Sequence, residues 1–226
     1  MNENPRSDIL SRVAWAALCV FVFSIPWEKS VQLPGATTLS HVIGIAAFAA
    51  AALVAMRRRS FRRLNLVLVV AAAFVAWAGL TWLWSQDRSA TYIKASTLAE
   101  LLAMAWLIWE SCRTPERQRQ LLQAYVWGAV AASASAYVRY FQNLQTYWRR
   151  YAAAGFDPND FGLILALSIP LALYLAMRPG AMRWVYRAAI VVVTGAILLT
   201  ASRMAMVTTF AAFGFPLLTW RQSDWG

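Results

Sequence analysis

Eight apolar runs, each closed by charge or by Pro and Gly, leave this chain few folds to adopt. They cover roughly 9–26, 38–56, 64–84, 92–110, 120–141, 161–177, 184–201 and 204–220. About 20 apolar residues cross a bilayer as a helix, and only helices or closed barrels satisfy their backbone groups in hydrocarbon. The first and sixth runs are short, at about 17 residues. Composition agrees, with 60% of residues hydrophobic and 14% charged, against about 25% charged in a soluble domain. A soluble globule and a disordered chain are both excluded. The expected fold is an all-α polytopic transmembrane bundle of about eight spans, forming a single domain over residues 1–226. The first run ends in Ser24-Ile25-Pro26-Trp27-Glu28-Lys29-Ser30 without a small-x-small cleavage site, so it reads as a span and not a removed leader.

The net charge of +11 resembles a nucleic-acid signal until the basic residues are located. They lie between apolar runs, so no nucleic-acid partner is expected. Odd-numbered connections hold four: Lys29, Arg88, Arg149 and Arg150. Even-numbered ones hold eleven: Arg57, Arg58, Arg59, Arg62, Arg63, Arg113, Arg117, Arg119, Arg178, Arg183 and Arg187. Positive residues collect on the cytoplasmic side, so the N-terminus and the even connections are expected there. Trp27, Trp82, Trp84, Trp109, Trp148, Trp184 and Trp220 near run ends suit an interfacial belt. Cys19 and Cys112 fall in the first span and at the inner end of the fourth, which offers no disulfide framework or zinc site.

The longest outward connection, 142–160, reads QNLQTYWRRYAAAGFDPND and carries two arginines against the charge rule. They are either an interfacial pair with snorkelling stems or a clamp for phosphate, which suits planar guanidinium. Asp157-Pro158-Asn159-Asp160 opens the sixth run. One reading makes Asp157 an N-cap, Pro158 the first helical residue and Asp160 part of a capping box. The other makes this helix start an anion holder. Thr200-Ala201-Ser202-Arg203 forms a very short outward turn, leaving Arg203 at the membrane boundary, where it needs a partner or a water-filled cavity. Arg149, Arg150 and Arg203 thus gather in one leaflet, a natural site for an anionic lipid-linked ligand. Glu100, about nine residues into the fourth run and roughly 13 Å deep, is a protonated or paired structural group or a functional carboxylate. His41, the single histidine, opens the second run, where an interfacial role fits better than catalysis.

Arg150 to Asp160, the following Ser168-Ile169-Pro170-Leu171 and Leu199-Thr200-Ala201-Ser202-Arg203 resemble the bacterial O-antigen ligase/polymerase superfamily. Ile25-Pro26-Trp27-Glu28 and Trp84-Ser85-Gln86-Asp87 resemble its exopolysaccharide branch. The motifs are short, but their order, spacing and side agree over most of the chain. The resemblance implies a multi-pass protein of the bacterial inner membrane, working on its periplasmic face without metal or cofactor. Such enzymes move a glycan from an undecaprenyl diphosphate carrier to an acceptor glycan or lipid. It also implies that Arg150 and Arg203 bind the diphosphate, with Asp157, Asn159, Asp160 and Ser202 in support. Family members continue into a large periplasmic loop that carries a proposed histidine base. The expectation is therefore an N-terminal portion of a longer enzyme, ending before that loop. Two other classes compete with this reading. A non-enzymatic carrier or flippase component would need a charged path, with Glu100 and Lys94 as important as Arg203. A structural membrane subunit would keep its arginines at interfaces only.

Overall fold

The computed structural model describes residues 5–33, 37–58, 62, 64–146 and 148–223. Eight long helices fall on the eight runs: α1 Pro5–Ser24, α2 Leu39–Arg58, α3 Leu66–Leu80, α4 Arg88–Ser111, α5 Pro115–Phe141, α6 Pro158–Ala176, α7 Met182–Thr200 and α8 Arg203–Ser223. Among the described residues, six are long and apolar enough to cross a membrane: α1 and α3, each with the 3-10 turn that follows it, α2, α5, α6 and α7. The chain is a multi-pass, helical membrane protein. In α4, Lys94 and Glu100 dilute the apolar sequence. In α8, side chains beyond residue 214 lie outside the description, Trp220 among them. So do Arg59 and Arg63, and the side chains of Arg57 and Arg58.

Caps and polar first turns, not hydrophobicity, set several helix starts, so α4 and α5 begin ahead of their apolar runs. Asp87 accepts from the Ala90 N–H at 2.9 Å, so α4 begins at Arg88. Asn65 caps α3 by accepting from the Val67 N–H. Pro115 opens α5 ahead of a polar first turn, where its missing N–H costs nothing.

The chain divides into two compact units. In the first, residues 1–18 and 43–117, α3 packs along α4. The α3 span is only 6% buried inside the protein, so most of its Val- and Ala-rich surface is exposed. Glu110, buried at the end of α4, accepts from the Arg62 backbone N–H at 2.9 Å and pairs with Arg113. The Arg62 guanidinium lies 3.8 Å from the centre of the Trp109 ring. A buried polar group needs such partners.

In the second unit, residues 19–42 and 118–226, α6 is the central element, packed on both α7 and α8. Val126, Ala129, Ala132 and Ala136 of α5 meet Leu165, Ile169 and Ala172 of α6 and Ala189, Val193 and Ala196 of α7 in one core. Small residues at helical spacing let the backbones of α6 and α7 approach closely, which drives association where water does not. Three inter-helix hydrogen bonds add to this: Gln123 to the Tyr186 hydroxyl (2.7 Å), Tyr125 to the Ile164 carbonyl (3.0 Å) and Tyr137 to the Val192 carbonyl (2.8 Å).

Two features are not visible in the hydropathy pattern. Gln32–Leu33 and Thr37–Thr38 pair antiparallel in a two-residue ladder between α1 and α2. The later half of the 142–157 connection also turns inward. Its Tyr151, Ala152, Ala153 and Phe156 are buried and join the α5–α6–α7 core or its edge.

Candidate functional site: the arginines above α6

Arg150 lies where three segments meet. Its backbone carbonyl accepts from the Thr146 N–H at 3.0 Å, and the next residue, Tyr151, donates its N–H to the Leu199 carbonyl at 3.0 Å. The connection is thereby tied to the end of α7. The guanidinium is then fixed twice. Nε donates to the Thr200 carbonyl at 2.8 Å, and Nη2 donates to Asn159 Oδ1 at 2.7 Å. Both acceptors are neutral, and Arg150 has no ion pair among the described residues. A guanidinium has five N–H donors. Two orient the group, and the remainder, with the whole positive charge, stay available to an anion.

Asn159 is held in turn by the start of α6. Asp157 is the N-cap, with φ −69° and ψ 138°, and accepts from the Asn159 N–H at 2.8 Å. Pro158 follows as the first helical residue. Capping is therefore realised, but the reciprocal capping box is not. Asp160 directs its carboxylate to Lys29, with Nζ 3.5 Å from Oδ2.

The Thr200–Arg203 turn is built from backbone chemistry. Ala201 ends α7 in the left-handed region, at φ 48° and ψ 33°. Ser202 then starts α8, its Oγ accepting from the Ala205 N–H at 3.3 Å while its own N–H donates to Thr200 Oγ1 at 3.2 Å. Ser202 is fully buried and acts as a helix cap. Arg203 follows it as the first residue of α8, exposed and without an ion pair among the described residues. A left-handed alanine costs about 1–2 kcal/mol, and glycine's greater unfolded freedom returns about 0.5–1 kcal/mol of that. Ala201→Gly should therefore stabilise the chain by roughly 0.5–1 kcal/mol, read as a higher thermal midpoint in detergent. A lower midpoint would contradict the left-handed cap.

α6 reaches this turn closely. A Cβ at Gly162 would lie 2.7 Å from Ala205 Cβ, 3.0 Å from Thr200 Oγ1 and 3.3 Å from Ser202 Cβ. Arg150, Asp157, Asn159, Thr200, Ser202 and Arg203 thus belong to one end of the second unit. Arg149 does not share in the constellation. It sits at φ 54°, exposed beside a 94% exposed Trp148, and its N–H donates to Gln145 Oε1 at 3.0 Å. His41 is exposed at the start of α2, its N–H donating to Thr38 Oγ1 at 3.3 Å. Glu100 and Lys94 are exposed on α4 of the other unit. Cys19, in α1, and Cys112, at the end of α4, form no disulfide.

Three residues at this end escape sequence reasoning. Thr200 contributes through its carbonyl, which no side-chain pattern reveals. Lys29 reaches Asp160 across a long stretch of sequence, and neither residue type announces the pair. Arg139, in the last turn of α5, has a buried Nε without a partner among the described residues. It carries the one available signal, an arginine inside an apolar run.

No group of three or more His, Cys, Asp or Glu suited to a metal occurs among the described residues. Comparison with protein-family models, characterised proteins and solved structures gives no match. Fold and site together define a class: a multi-pass helical membrane protein whose second unit holds at one end an arginine oriented by two neutral acceptors, without an ion pair among the described residues.

Proposed function

We propose that this chain belongs with the O-antigen ligase/polymerase superfamily and holds the diphosphate of a polyprenyl-linked glycan on the periplasmic face of the bacterial inner membrane. On this reading all eight helices span, with the N-terminus cytoplasmic, as the split of basic residues favours. The observation that carries the reading is Arg150, fixed by two neutral acceptors so that its charge is oriented but not neutralised. Forked guanidinium donors match a diphosphate's oxygens. Arg203 adds an exposed second cation just past the Thr200 carbonyl that Arg150 grips.

The chemistry would be transfer at the anomeric carbon. An acceptor hydroxyl attacks, its oxygen forms the new glycosidic bond and its proton passes to a base. The bond from the anomeric carbon to the diphosphate oxygen breaks, and the electron pair leaves with the diphosphate. Arg150 and Arg203 stabilise the charge that accumulates there, the kind of preorganised contact that lowers a barrier most. Asp157 and Asp160 are committed to the helix cap and to Lys29.

The test uses the purified chain in phosphatidylethanolamine nanodiscs, titrated with farnesyl diphosphate, farnesyl monophosphate and farnesol. The expected order of affinity is diphosphate, monophosphate, farnesol. Each charge-assisted contact contributes on the order of 1.5–3 kcal/mol. Arg150→Ala should then weaken diphosphate binding by roughly tenfold or more. Equal affinity for farnesol and the diphosphate would remove the reading.

A further inference from the structure

The short strap after α1, Ile25–Ser30, is clasped to the connection that carries Arg150. A Cβ at Gly155 would lie 2.4 Å from the Lys29 carbonyl oxygen, so only glycine admits the strap there. The Lys29 ammonium lies 5.4 Å from the centre of the Phe156 ring and 3.5 Å from Asp160 Oδ2. On either side of it, Trp27 Nε1 and Ser30 Oγ are buried without partners among the described residues, so polar capacity at the strap is unspent.

The charges at this end oppose one another. Asp157 and Asp160 place two carboxylates in and before the first turn of α6. That suits the helix dipole, but an incoming anion meets two like charges beside Asn159, the residue that orients Arg150. Unless one is neutralised, the carboxylates cancel the arginines. Lys29 is the cation that pairs with Asp160.

We infer that Lys29 is a positioning residue of the anion site, neutralising Asp160 and anchoring it so that Arg150 and Arg203 present net positive charge to a diphosphate. The inference rests on the diphosphate reading above and deepens it. Asp160 then acts as a brake on anion binding that Lys29 releases, and touches no ligand itself. Both side chains are partly exposed, at 41% and 58%, so solvent and salt weaken the effect.

The experiment measures farnesyl diphosphate affinity in the same nanodiscs at low and high salt. Lys29→Met should weaken binding about tenfold at low salt, which corresponds to 1.36 kcal/mol, and much less at high salt. Lys29→Arg should keep wild-type affinity. Asp160→Asn alone should bind the diphosphate more tightly, and Lys29→Met with Asp160→Asn should return to within about twofold of wild type. That rescue separates charge from architecture, because a strap that merely braces the fold would leave the double variant as weak as Lys29→Met. Such a result would overturn the inference, as would an unchanged affinity in Lys29→Met. Farnesyl diphosphate binding no better than farnesol in wild type would instead overturn the diphosphate reading, and this inference with it.

Discussion

Gly155→Ala should destabilise the chain far more than an alanine at either of two open glycines, Gly79 and Gly180. At φ 79°, Gly155 sits where a Cβ is itself unfavourable, and that Cβ would meet the Lys29 carbonyl oxygen at 2.4 Å and its carbon at 3.1 Å. Both are backbone atoms, and neither can swing aside. Left-handed placement costs about 1–2 kcal/mol and overpacking about 1–3 kcal/mol, so a loss of roughly 2–5 kcal/mol is expected. Two other glycines calibrate the measurement. Gly180, at φ 130° with nothing near its Cβ position, isolates the backbone cost. Gly79, helical and equally open, should be neutral or slightly stabilised as alanine. Unfolding in detergent titrations, followed by tryptophan fluorescence, ranks the three. A Gly155→Ala protein as stable as Gly79→Ala would mean that the strap does not clasp the connection.

This clasp also marks how far the sequence alone could be read. Eight apolar runs locate eight helices because period and hydrophobicity are local properties. Caps are legible in part. Asp157 accepts from the Asn159 N–H as its place before the sixth run predicts, whereas the Asp87 cap lies ahead of the fourth run and is not read from it. What the pattern does not disclose depends on which segment returns to which. Ala152, Ala153 and Phe156 are small or apolar residues in an apparent loop, and only the approach of α5, α6 and α7 shows that they are core. Asp160 is a good capping-box residue by position, yet its carboxylate goes to Lys29, because a charged partner from the strap outcompetes a backbone N–H. At the arginines, sequence reasoning groups Arg150 with Arg203, and both lie at one end of the second unit, but it does not disclose how they differ. Arg150 is half-buried and gripped by Thr200 and Asn159, whereas Arg203 is exposed.

That difference gives the second large expected effect. Arg203→Lys should weaken farnesyl diphosphate binding by about 10- to 100-fold while leaving the thermal midpoint within error. The size follows from losing one forked contact of about 1.5–3 kcal/mol at 1.36 kcal/mol per tenfold. Lysine keeps the charge but offers a point donor on a flexible stem. Stability should not change, because Arg203 has no ion pair among the described residues to lose. Arg150→Lys should lose binding to a similar extent and stability as well. One ammonium cannot reproduce the 2.8 Å and 2.7 Å bonds that tie the connection to Thr200 and Asn159. Arg149→Lys should change neither, since its side chain lies outside the constellation and only its N–H bonds to Gln145. Calorimetric titration of the three variants, paired with thermal melts, tests the whole pattern. Wild-type affinity in Arg203→Lys would reduce that residue to bulk attraction. Loss at Arg149 with retention at Arg150 would move the clamp by one residue and contradict the geometry that singles out Arg150.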